Sequence, residues 1–298
     1  MIPKDYPPLP LIEGETVIEY NPDQSQLTTR YTARALHFIE KNKARPFFLY
    51  LPHSMPHIPI HVSKKYKGKS QQGLYGDVIM ELDWSVGEIL NKLKQFDLED
   101  DTLVIFTSDN GPWLQYGNHA GSARPLREGK MTTFEGGQRV PCIIRWPGKI
   151  PAGSVCHEMA TTMAFLPTIA AITGAALPTV KIDGKNIKPL LEEPSEAKSP
   201  YEAFYYYNDN ELQAIRSGPW KLHLKHLYLT PVVIGKDGNA GQVENKELAL
   251  TLYNLETDIG EQNNVADLHP EIVNKLRQMA ERFDAELKQN IRPAGVSI

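Results

Sequence analysis

The sequence predicts an α/β chain that ends in a small antiparallel sheet with one helix. Short continuous apolar runs, Phe47–Leu51 and Thr102–Thr107, are separated by a long stretch of apolar residues at helical spacing. Beyond about Pro194 the texture changes to short alternating runs followed by one amphipathic helix. The composition, 41% hydrophobic and 23% charged over 298 residues, suits a globular chain with a full core. The expected organisation is an α/β domain over 1–194 and a small α+β subdomain over 195–298.

In chain order, the opening MIPKDYPPLPLIEG carries Pro3, Pro7, Pro8 and Pro10, which predicts an extended loop rather than a first strand. It holds no positive region followed by an apolar one, and no later run is long and apolar enough to span a bilayer, so neither an export signal nor a membrane anchor is expected. Leu27–Lys43 places Leu27, Tyr31, Ala35, Phe38 and Ile39 at helical spacing, with Asp23 or Ser25 as N-cap. Phe47–Leu51, bounded by prolines, has the form of a strand buried on both faces. Tyr75–Leu98 is a second amphipathic helix, with Asp77, Glu81 and Lys92 among its polar positions. With Thr102–Thr107 it completes a βαβ unit, which predicts parallel strands whose carboxyl ends share one rim.

After a Gly-rich loop, Val140–Trp146 predicts another strand. His157–Thr173 is helical in pattern, stopped by Gly174, with Pro167 marking a kink or the true start. Tyr201–Tyr207, Leu212–Arg216, Trp220–Leu224 and Thr251–Leu255 read as antiparallel strands, and Glu271–Lys288 as a last helix with Pro270 at its first turn.

The formal net charge of −4 leaves no basic footprint, which excludes nucleic acid as the expected partner. Two cysteines, Cys142 and Cys156, are too few for a disulfide framework, and Cys142 in VPCIIRW reads as a buried thiol. Asp109 and Asn110 end the Thr102–Thr107 run and are adjacent oxygen donors suited to a hard cation. The same Asp-Asn-Gly-Pro string is also a good turn, and both readings stand at this point. His53, His57 and His61 are spaced as on one helix face, but Pro52, Pro56 and Pro59 forbid that helix. One of them could donate a proton at the rim, or be a surface histidine in a proline-rich loop. Lys130, between Gly129 and FEGG, could approach an anion or be a solvated loop lysine. His119, Arg124 and Arg127 share its loop with roles left open, while His223 and His226 read as structural or solvated.

Together, PFFLYLPHSMPHIP, GDVIMELDWSVGEIL, DDTLVIFTSDNGP and PLREGKMTTFEGGQRVPCIIRWPGKIPAG resemble the sulfatase family of arylsulfatase type, within the alkaline-phosphatase-like superfamily. GPWKLHL and LYNLETDIGEQNNVA extend the resemblance into the family's C-terminal region. The resemblance implies an alkaline-phosphatase-like sandwich with a mostly parallel sheet and a small C-terminal antiparallel sheet, and hydrolysis of sulfate esters. It implies that Asp109 and Asn110 are calcium ligands, that His57 contacts the sulfate and protonates the departing alcohol, and that Lys130 binds sulfate oxygens. The family's nucleophile is a formylglycine made in a Cys/Ser-x-Pro-x-Arg string, and neither Cys142 nor Cys156 lies in one. The paired aspartates and the Gly-Lys-x-His segment of the family's first half are also missing. The chain thus resembles the C-terminal part of a sulfatase, with an incomplete calcium shell and no turnover expected by itself. The expected partners are a sulfated small molecule or glycan, and either a separate N-terminal half or a second copy at an exposed apolar edge. A phosphatase or phosphodiesterase of the same superfamily and a non-catalytic anion-binding module are the alternatives. Family members are commonly periplasmic, secreted or lysosomal. Arg124 and Met131 stand where the family pattern usually has glycine.

Overall fold

A computed structural model describes residues 7–291. Pro3, part of the expected opening loop, lies outside them. The chain divides into two compact units, one of 1–102 with 116–121 and 234–241, the other of 103–115, 122–233 and 242–298.

The first unit begins with an antiparallel hairpin, β1 (Pro10–Glu13) and β2 (Thr16–Tyr20), turned at Gly14, whose φ of 60° favours glycine. The proline-rich opening therefore becomes a strand from Pro10 onward, because prolines are tolerated at a strand's start and on an edge. Ion pairs Arg30–Glu19 and Arg34–Glu13 fasten the hairpin to α1 (Leu27–Asn42). Asp23 caps the preceding turn, its carboxylate accepting from the Ser25 amide at 3.0 Å.

The second helix, α2 (Gly73–Gln95), packs on α1, where the Thr32 and Ser85 hydroxyls meet at 2.7 Å. The two expected polar positions Asp77 and Glu81 are buried together with Ser85. Spaced by four, all three lie on one stripe of the helix. Asp77 accepts the amides of Gly68 and Ser70, and Glu81 that of Ser63. These carboxylates satisfy backbone donors of a loop that has no ladder of its own, which is why they are inside. Met55, Ile60, Val62, Val78 and Leu82 form the apolar core beside them.

Phe47–Leu51 belongs to no ladder among the described residues, and Phe48 and Tyr50 are exposed. An apolar run becomes a strand only when another strand takes its backbone groups. The expected parallel βαβ pairing is therefore not seen, and every sheet among the described residues is antiparallel.

In the second unit β3 (Val104–Thr107) pairs instead with β4 (Cys142–Arg145), Val104 opposite Arg145 and Thr107 opposite Cys142. Between them lie a 3-10 stretch, Leu114–His119, and one α-helical turn, α3 (Glu135–Gln138). Cys142 is exposed, against expectation, and so is Ile143 beside it on the opposite face of this two-stranded sheet. The helix α4 (Phe165–Thr173) has Pro167 in its first turn, so that proline marks the true start. Gly174, at φ 73°, ends it. A short α5 (Lys188–Glu192) follows.

The four-stranded sheet runs β10-β7-β6-β5, formed by β5 (Phe204–Asn208), β6 (Glu211–Ser217), β7 (Trp220–His223) and β10 (Thr251–Asn254). The helix α6 (Pro270–Asn290) lays Leu276, Met279 and Ala280 on Ile215, Leu222 and Leu252. Between β7 and β10 comes an unexpected ribbon, β8 (His226–Val233) and β9 (Gln242–Leu248).

Candidate functional site

Asp109 and Asn110 sit just past β3, with Asp109 exposed and one of its oxygens accepting the Asn110 amide at 2.9 Å. The turn that follows is pinned to the Lys130 loop by two backbone hydrogen bonds. Gly111 N–H donates to Gly137 carbonyl, and Lys130 N–H to Pro112 carbonyl, both at 2.9 Å. Such proximity demands glycine: a β-carbon on Gly111 would lie 1.8 Å from the Gly136 carbonyl oxygen, and one on Gly136 2.2 Å from that of Glu128. Asp109, Asn110 and Lys130 are thus carried by two loops locked edge to edge.

The Lys130 ammonium lies over the Trp113 ring, 4.9 Å from its centroid, a cation–π contact that aims the side chain. On either side the backbone is strained, with φ of 58° at Glu128 and 72° at Met131. Left-handed conformations at residues other than glycine cluster at functional sites. Position 131, where the resembled family usually has glycine, therefore has a glycine's backbone.

Behind this loop stands a buried ionic network that no sequence motif announced. Glu135, first residue of α3, has one oxygen 3.0 Å from Lys221 Nζ and the other 3.2 Å from an Arg216 nitrogen, and it accepts the Tyr206 hydroxyl at 2.8 Å. Glu261 joins Lys221 at 2.9 Å, accepts from His223 Nε2 at 3.0 Å and receives the Glu135 amide at 2.7 Å. Burial pushes both carboxyls up, but Lys221 opposes it, helped at Glu135 by Arg216 and at Glu261 by His223, and both end below the usual carboxylate range. His223, wholly buried, is pushed down to about 4 by burial and stays neutral, a structural histidine as expected. Arg127 is structural too: its guanidinium stacks on Phe134 at 4.1 Å and donates to the Glu261 carbonyl at 2.6 Å. The partners stand 38 to 134 residues apart in sequence, so no local spacing could have revealed them.

His57 belongs to the first unit, exposed in its proline-rich loop, where Nδ1–H donates to the Ile58 carbonyl at 2.7 Å. That bond fixes the tautomer, with the proton on Nδ1. His53 is half-buried, its Nε2 3.3 Å from the Ser85 hydroxyl, and burial lowers its pKa. His119, also in the first unit, packs on Gly238, and Arg124 is exposed.

Calcium takes about six to eight oxygen ligands. Asp109 and Asn110 offer the right kind of oxygen but too few, and among the described residues no group of three or more His, Cys, Asp or Glu could hold a metal. These residues form part of a shell at most.

A sequence profile described as sulfatase matches residues 5–175, more than half of the chain. The chain belongs to the sulfatase family. A second profile, the C-terminal region of aryl-sulfatase, covers 199–294, and one for the C-terminal part of N-sulphoglucosamine sulphohydrolase covers 129–225. The chain is 35% identical to arylsulfatase A of Bos taurus over 94% of its own length and 58% of that protein's. It is 41% identical to steryl-sulfatase of Homo sapiens over 70% of its length and 37% of that protein's. Among solved structures, the PsFucS1 sulfatase from Pseudoalteromonas sp. superposes with a TM-score of 0.81 at 26% identity, over 90% of this chain and 54% of that one. The chain therefore spans about half the length of the relatives it matches. Its fold class is the expected alkaline-phosphatase-like α/β one, with antiparallel pairing in each sheet described.

Proposed function

We propose that this chain supplies one side of an active site that hydrolyses sulfate esters. The observation that carries the reading is the pair of backbone bonds locking the Asp109–Asn110 turn to the Lys130 loop, because it holds an ammonium and two oxygen donors on one rigid edge. Sulfuryl transfer develops negative charge on the sulfate oxygens and on the departing alcohol, which cations and an acid stabilise. In this reading Lys130 binds sulfate oxygens and His57, oriented by its Nδ1 bond to the Ile58 carbonyl, protonates the departing alcohol. Asp109 and Asn110 are two ligands of a calcium ion whose other ligands come from outside these 298 residues. The nucleophile, a formylglycine, also comes from outside, since neither Cys142 nor Cys156 stands in the required string. The substrate is a sulfated small molecule or glycan, classes spanned by the names of the matched relatives and profiles. In the same reading 1–194 is the partial α/β domain and 195–298 the C-terminal subdomain.

Complementation tests this. The chain alone releases no chromophore from an aryl sulfate, and co-expression with a formylglycine-bearing N-terminal sulfatase fragment restores release. In the restored pair Lys130→Ala lowers kcat/KM by roughly 100-fold or more. Turnover by the chain alone, or an unaffected Lys130→Ala pair, would contradict the proposal.

A further inference from the structure

The loop that carries Lys130 is closed at its neck, where the Gly136 N–H donates to the Arg127 carbonyl at 2.8 Å. One residue of the C-terminal region holds both sides of that neck. The Glu261 carbonyl accepts an Arg127 guanidinium N–H at 2.6 Å, and the Glu261 carboxylate accepts the Glu135 amide at 2.7 Å. We infer that Glu261 is a positioning residue for Lys130, clamping the neck of its loop so that the ammonium is aimed before an anion arrives. The inference rests on the reading of Lys130 as the sulfate-binding residue.

The conformation of Glu261 fits a clamp better than one more buried charge. Its backbone is left-handed, with φ of 52°, while the residue is wholly buried. The turn thus holds an unfavourable conformation that brings carbonyl and carboxylate to the same neck. That turn is itself fixed. The Asp258 carboxylate accepts the amides of Gln262 at 2.8 Å and Asn263 at 2.7 Å, and the Glu261 N–H donates to the Asp258 carbonyl at 3.1 Å. Within the carboxylate the work is divided: Oε1 faces Lys221 at 2.9 Å and His223 at 3.0 Å, and Oε2 takes the Glu135 amide. A long side chain that must be ordered on binding weakens affinity, and one ordered in advance does not.

The test compares Glu261→Asp with wild type in the 298-residue chain. It reads calorimetric affinity for inorganic sulfate and hydrogen exchange of the Lys130 amide, which donates to the Pro112 carbonyl. Aspartate keeps the charge for Lys221 but is too short to reach the Glu135 amide as well. Lys130 exchange is expected to speed roughly tenfold or more relative to the amides of α6, the worth of one hydrogen bond to a charged acceptor. Sulfate binding is expected to weaken roughly threefold to tenfold, the cost of ordering one long side chain. Leu276→Ala, in the apolar core on the sheet's other face, shows what a loss of stability alone does, and it should move neither readout. Arg127→Met removes the second attachment and leaves the ion pairs of Glu261 in place, so it should speed Lys130 exchange even where Glu261→Asp fails to fold. Lys130 exchange no faster in these two variants than in Leu276→Ala overturns the inference. So does unchanged sulfate affinity in Glu261→Asp where Lys130→Ala weakens it. Sulfate affinity indifferent to both Lys130→Ala and Glu261→Asp overturns the reading of Lys130 instead, and the exchange rates then decide the clamp alone.

Discussion

The Lys221 ammonium lies 3.0 Å from a Glu135 carboxylate oxygen, with 0% and 1% of the two side chains exposed. Glu135 opens the single helical turn behind the Lys130 loop, and Lys221 sits in the middle of the C-terminal sheet, so this contact ties the loop to the sheet. Removing one partner of such a pair leaves a buried charge without compensation. Lys221→Met should destabilise the chain by about 3–5 kcal/mol. Pairing it with Glu135→Gln should cost less than the sum of the two single changes. Urea unfolding of the four variants measures both; additive losses would mean that the two groups are not coupled.

The same network makes the chain acid-sensitive, with the direction set by depressed pKa values. His223 titrates near 4 when folded and near 6.5 when free, so the unfolded chain binds its proton first as pH falls. Its contribution, about 3 kcal/mol, is complete above the free value and lost as pH drops from 6.5 to 4. Glu135 and Glu261, also depressed, add a further loss below the ordinary carboxylate range. Thermal melts from pH 8 to pH 4 should therefore show a falling Tm. In His223→Gln the slope between pH 6.5 and 4.5 should flatten, and an unchanged slope would remove His223 from the account.

Met131 adopts φ 72°, a left-handed backbone whose penalty glycine lacks. Met131→Gly should stabilise the chain by about 1 kcal/mol, the left-handed penalty partly offset by glycine's extra freedom when unfolded. Denaturant midpoints read this directly, and a loss of stability would show that the exposed Met131 side chain contributes more than the strain removes.

Calcium should bind this chain weakly, because Asp109 and Asn110 alone cannot replace its hydration shell. Calorimetry should give a dissociation constant in the millimolar range or weaker, lost in Asp109→Ala. Micromolar binding would mean that the oxygens of the shell lie within these residues.

Much of this was legible where the signal is local. Pro167 and Gly174 bracket α4, Pro270 starts α6, and the alternating runs became β5, β6, β7 and β10. The sequence hid what depends on distant partners. Phe47–Leu51 has the composition of a buried strand, yet a strand also needs a neighbour, and it has none among the described residues. Asp77 and Glu81 look like solvent-facing helix positions until the loop whose amides they hold is in place. The β8–β9 ribbon was masked by Pro231, which demotes a strand, and by the charges along β9. In the candidate site, the Asp109–Asn110 turn and the Lys130 loop were visible as motifs, but the bonds joining them and the Trp113 ring under Lys130 were not.

Anion affinity tests the central claim most directly. Calorimetric titration of the chain with sulfate and with phosphate, on wild type and Lys130→Ala, should show sulfate preferred and its binding weakened roughly tenfold or more by the substitution. Preference for phosphate would favour a phosphatase or phosphodiesterase of the same superfamily, and sulfate binding indifferent to Lys130→Ala would contradict the account.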